Sequence, residues 1–116
     1  MDLPSTDVER LEAQLGRTVD RLRTLGLTRL AASFEPEPSR ADAARGVAQR
    51  LEDLAAELES REPRTLPRLA DPAVGDQVAV CGHDLLAVIA SGSGVARGEA
   101  VAGVAADLLL DLRRRL

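Results

Sequence analysis

Four stretches of this 116-residue chain repeat apolar residues at steps of three or four, the spacing that lines one side of an α-helix and requires it to pack against others. Val8, Leu11, Leu15, Val19 and Leu22 form the first set, and Ala44, Val47, Leu51, Leu54 and Leu58 the second. Val74, Val78, Cys81, Leu85 and Val88 form the third, and Val101, Val104, Leu108 and Leu112 the fourth. The pattern predicts an all-α single domain over 1–116, an antiparallel four-helix bundle with an additional short helix near Leu27 to Phe34 after helix 1. A three-helix core that exchanges the segment from Ser91 onward between two chains is the alternative. A chain of this length holds one core without help from a metal or a disulfide.

Punctuation sets the boundaries. Ser5 to Asp7 can cap a first helix that runs to about Leu25, where Gly26 offers a left-handed stop. Leu27, Leu30 and Phe34 then suggest a short helix folded onto the core, with Phe34, the sole aromatic residue, as a core plug. Glu35-Pro36-Glu37-Pro38 breaks the chain, because proline disfavours helix geometry in the residue before it. Ser39 with Asp42 resembles a capping box and introduces a second long helix, about Arg40 to Arg61. Its outer face, with Arg45, Gln49, Arg50, Glu52, Asp53 and Glu57, reads as solvated. Pro63, Pro67 and Pro72 mark a linker that Leu66 and Leu69 are placed to pin. Asp71-Pro72 opens a third helix to about Ala90. A short strand at Val78-Ala79-Val80-Cys81 is the competing reading, but no second window alternates well enough to pair with it. Ser91 to Gly94 is a turn, and the last helix starts between Ser93 and Gly98. It ends on Arg113, Arg114 and Arg115, which suit the negative helix terminus.

Composition excludes several classes. One cysteine, Cys81, permits no intrachain disulfide and suits a reducing, cytoplasmic setting. The polar, acidic start does not resemble an export signal. Apolar runs well short of roughly 20 residues, with charged faces on each periodic stretch, argue against a membrane span. All 15 cations are arginine, a usage that fits GC-rich codons. The net charge of −4 argues against general nucleic-acid binding, which depends on a basic surface. Arg10, Arg17 and Arg21 do form a modest stripe on helix 1, and neighbouring carboxylates offer them partners.

The densest polar cluster is Gly75-Asp76-Gln77-Val78-Ala79-Val80-Cys81-Gly82-His83-Asp84. On a helix, Asp76 and His83 align about 10 Å apart with Gln77 and Asp84 beside them, a candidate ligand or partner surface. Cys81 points about 160° away from His83, which disfavours a Cys-His pair. With no second histidine or cysteine and no Glu-x-x-His motif, neither a metal site nor any cofactor is expected. Gly75, Ala79 and Gly82 make a small-residue stripe suited to close helix packing, or the two glycines are harmless kinks. No phosphate-binding glycine motif is present.

The stretch Leu66-Pro67-Arg68-Leu69-Ala70-Asp71, followed by Gly75 to Val80 and Gly82 to Leu86, resembles a segment of small Ala/Leu/Arg-rich actinobacterial helical proteins that have no assigned function. The resemblance implies a source and a helical fold, and supplies no activity. No nucleophile, base and positioning group can be assembled from the residues. The leading functional reading is therefore a non-enzymatic protein interaction module. A nucleic-acid-associated regulator and a small-molecule binder or enzyme using the Asp76/His83 face are the alternatives. Helix 4 carries apolar residues on more than one face, which predicts a homodimer with Ala106, Leu109 and Leu110 near the contact.

Overall fold

A computed structural model describes residues 6–92 and 94–116; Ser5 and Ser93, two of the expected boundary residues, lie outside the described residues. The chain is 75% helical and, among the described residues, has no strand. The helices are α1 (Asp7–Thr24), α2 (Leu27–Ala31), α3 (Arg40–Leu58), α4 (Val74–Ala90) and α5 (Val95–Arg115), with a 3-10 turn at Asp71–Ala73 leading into α4.

Local hydrogen bonds account for the start of α1 and for both ends of α3. Thr6 caps α1 by accepting the Glu9 N–H at 3.1 Å. Ser39 caps α3 by accepting the Asp42 N–H, and its hydroxyl donates to the Asp42 carboxylate, so the expected capping box is formed in its first half, with the return bond made to the hydroxyl. Gly26 is not left-handed. It is extended and precedes α2, because α1 stops at an extended Leu25. The second long helix stops three residues before Arg61. Ser60 turns left-handed with φ 54°, and the Ser60 and Arg61 N–H groups bond back to Glu57 and Ala56, closing the carbonyl end as a Schellman turn.

α1 packs chiefly on α5 and α4, and α3 chiefly on α4 and α5. Bonds from Asp7 to Glu99, Arg10 to Asp107 and Gln14 to Arg113 advance together, so α1 and α5 run in the same direction. Gly75 against Leu22 and Gly82 against Leu15 set α4 antiparallel to α1. Arg97 on the Glu57 carbonyl, with Ala43 near Arg115, sets α5 antiparallel to α3. The expected antiparallel arrangement therefore holds for α4 on α1 and for α5 on α3, whereas the consecutive helices α3 and α4, like α1 and α5, run the same way, because the chain between α3 and α4 returns along the length of α3.

The core is aliphatic. Leu11, Leu15, Leu51, Leu85, Leu109 and Leu112 are its largest fully buried members. The buried side of α5 differs from the expected Val101, Val104, Leu108 and Leu112. It comprises Gly98, Ala102, Ala105, Ala106, Leu109 and Leu112, while Val104 is 46% exposed. Small residues let α5 approach two neighbours closely and receive their leucines, so the alanine side faces inward and the valines sit at its margin. Phe34 is not a core plug either. It is half-buried at the rim, between the guanidinium groups of Arg40 at 4.9 Å and Arg115 at 4.6 Å from the ring centre, an arrangement in which the ring face attracts both cations. The segment Asp71–Ala90 is long and apolar enough to cross a membrane by length and composition alone. Here its apolar residues Val74, Val78 and Leu85 are buried in the bundle.

Candidate functional site

The return segment, residues 61–70, is an extended strap rather than a free linker. Pro63 and Pro67 prevent it from becoming helical, and its backbone groups must find partners elsewhere. α3 supplies them from Arg45, Gln49 and Glu52, which share one face with Asp42, the partner of the Arg68 side chain, because the four are spaced three or four apart. The Arg61 guanidinium donates to both Glu52 oxygens at 2.9 Å, and the Arg64 N–H donates to Glu52 at 2.8 Å. Gln49 acts as a second backbone would: its amide donates to the Arg64 carbonyl at 2.8 Å while its oxygen accepts the Leu66 N–H at 2.9 Å. Arg45 donates to the Leu69 carbonyl and to Asp71, and Arg68 reaches Asp42. From α4, Gln77 donates to the Pro67 carbonyl at 2.9 Å.

This ladder corrects the expectation that the polar face of α3 is solvated. Glu52 is only 8% exposed. The Arg61 guanidinium holds its carboxyl down at about 2, with help from the Arg64 N–H and against the opposing effect of burial. Burial pushes Asp42 up, but bonds from Arg45 and Arg68 prevail and leave it below the ordinary carboxylate value. Arg50 and Glu57 do remain exposed.

Between the strap and α4 lies a groove of about 270 Å³ lined by Leu66, Pro67, Leu69, Asp76, Gln77, Val80 and Cys81. Val80 is 60% exposed and Leu69 37%, whereas Cys81 is buried. Burial raises the Cys81 thiol to about 11, and the Asp84 and Glu52 carboxylates add to the rise. The thiol therefore stays protonated at neutral pH, when nucleophilic attack or metal ligation requires thiolate.

Of the residues singled out on α4, Asp76 is exposed and bonded by Arg23, with its oxygen 2.7 Å from Nη2 and 3.1 Å from Nε. His83 and Asp84 are exposed further along the helix. Gln77 is not part of a free surface. It is buried and committed to the strap, because the carbonyl of Pro67 has no other helix or strand partner at hand. Gly75, Ala79 and Gly82 are buried. A Cβ on Gly82 would stand 2.4 Å from Leu15 Cδ1, and one on Gly75 3.2 Å from Arg23 Cγ, so both glycines are where α1 crosses closest.

Ala106 and Leu109, expected at a dimer contact, are fully buried within the single chain. The inward rotation of the alanine side of α5 places them there. Leu110 is half-buried. The arginine stripe of α1 is largely engaged within the bundle: Arg10 bonds Asp7 and Asp107, and Arg21 reaches the Leu116 carbonyl. Among the described residues no group of three or more His, Cys, Asp or Glu side chains is placed to hold a metal.

The groove's apolar members, Leu66, Leu69 and Val80, were legible only in part. The leucines stand out in a proline-rich linker, but Val80 falls off the buried stripe of α4, and its one signal is an aliphatic residue where a solvated helix face calls for a polar one. No family model, curated protein or solved structure matches this chain.

Proposed function

We propose that the protein is a non-enzymatic interaction module that binds a protein partner across the strap and the outer face of α4. The observation that carries this reading is Val80, a large aliphatic side chain 60% exposed on the wall of an apolar groove whose own framework is rigidly hydrogen-bonded. Fixed backbone and an accessible apolar anchor site are what a protein interface uses for a central contact. Chemistry is poorly served by the same place, because burial and the nearby Asp84 and Glu52 carboxylates hold the Cys81 thiol protonated.

Affinity capture from a lysate of the source organism, with three forms of the chain as bait, tests this. A partner held by the wild type and by Leu110→Glu but lost with Val80→Glu supports the reading. Identical captured sets for all three forms refute it, and a partner lost only with Leu110→Glu moves the interface to α5.

A further inference from the structure

The groove also specifies the chemistry of its occupant, an inference that rests on the interaction-module reading. Its volume, about 270 Å³, falls just under the roughly 300–1,000 Å³ of sites for whole small molecules. It suits one bulky side chain. The polar groups that build its strap wall are already committed: Gln77 to the Pro67 carbonyl, Gln49 to the Leu66 N–H and Arg45 to the Leu69 carbonyl. What remains for an incoming group is the apolar surface of Leu66, Pro67, Leu69 and Val80.

Charge around the groove is sorted by side. The strap's cations serve α3, where Arg61 and Arg64 act on Glu52 and Arg68 acts on Asp42. The α4 wall presents carboxylates, Asp76 one turn before Val80 and Asp84 one turn after it, each about 6 Å along the helix. Asp76 is balanced by Arg23. Asp84 is exposed and, among the described residues, has no hydrogen-bond or ion-pair partner. One unbalanced negative charge therefore stands beside an apolar slot.

We infer that the groove receives an aliphatic or aromatic side chain from a segment of another protein, with a Lys or Arg within about one turn of that anchor set against Asp84. The anchor supplies burial, and the cation sets orientation and selects against acidic segments.

A random 12-residue peptide library displayed on phage, panned on the intact chain with Val80→Glu as the counter-selection, tests both parts. Enriched peptides are expected to share an apolar anchor with a basic residue within four positions. In fluorescence anisotropy, Asp84→Asn is expected to weaken them about five-fold, the effect of one exposed ion pair, and Lys→Glu in the peptide at least as much. Circular dichroism of Val80→Glu and Asp84→Asn should match the wild type, since both side chains are exposed. Enriched peptides without the cation, or with affinity indifferent to Asp84→Asn, overturn this inference and leave the module reading standing. In a parallel panning without the counter-selection, peptides that all bind Val80→Glu equally well overturn the groove as their site. No enrichment at all removes both readings. A wild-type dimer in sedimentation that Val80→Glu dissolves makes a second copy of this chain the occupant, against the inference.

Discussion

Glu52→Gln isolates what holds the strap. The substitution keeps the shape of the side chain but removes its charge and turns one acceptor into a donor. In the wild type, Glu52 accepts three bonds, two from Arg61 at 2.9 Å and one from the Arg64 N–H at 2.8 Å. A glutamine oxygen can keep those on one side, while its NH2 group then faces a donor. Charge-assisted bonds contribute about 1.5–3 kcal/mol each, but Arg61 is partly exposed and water can replace part of what is lost. The loss is therefore about 2 kcal/mol in all, below the roughly 3–5 kcal/mol of breaking a fully buried pair. For a domain of this size that is a fall in Tm of about 6–12 °C.

The pH dependence provides the control. Glu52 has a folded-state pKa of about 2 against an ordinary 4.5, so between those values the unfolded chain binds more protons and stability falls as pH is lowered. The wild type's advantage over Glu52→Gln should be complete above pH 4.5 and should shrink steadily as the pH drops towards 2. Urea unfolding followed by circular dichroism at pH 7, 5, 4 and 3 measures it. A difference under about 0.5 kcal/mol at pH 7, or one that stays constant down to pH 3, would refute the assignment of Glu52 as the strap's charged anchor.

Four further outcomes are expected. Gly82→Ala places a Cβ 2.4 Å from the buried Leu15 Cδ1, so overpacking of about 1–3 kcal/mol exceeds the roughly 1 kcal/mol gain in helix propensity, and chemical denaturation should find the variant less stable. Gly75→Ala meets the Arg23 stem at 3.2 Å and Leu22 Cβ only at the ordinary contact distance of 3.5 Å, and Gly46→Ala meets nothing within 4 Å. The first should be neutral within about 0.5 kcal/mol and the second more stable by about 1 kcal/mol in the same measurement, and a destabilised Gly46→Ala would contradict the packing described. Cys81, with its thiol at about 11, should react with a disulfide reagent at pH 8 at least 100-fold more slowly than a free thiol of pKa about 8.5; comparable rates would show that the groove floor opens.

The four long helices and the short one were readable from spacing alone, because a helix that buries one side must repeat apolar residues every three or four positions whatever it packs against. Caps were equally local: Ser39 with Asp42 bond within a single turn. Which side of α5 turned inward was not local. Spacing favoured the valines, yet the side lined by Ala102, Ala105 and Ala106 is buried, since the sizes of the facing leucines on neighbouring helices decide how near each backbone can come. The candidate site was the least legible part. Gln49 and Glu52 read as ordinary polar helix residues and Gln77 as part of an exposed candidate surface, and only the course of residues 61–70 back along α3 turns them into partners of a proline-bearing backbone. A sequence displays which side chains share a helix face. The backbone that will cross that face, 12 to 24 residues further along in the contacts of Glu52 with Arg64 and Arg45 with Leu69, is set by the packing of the whole chain.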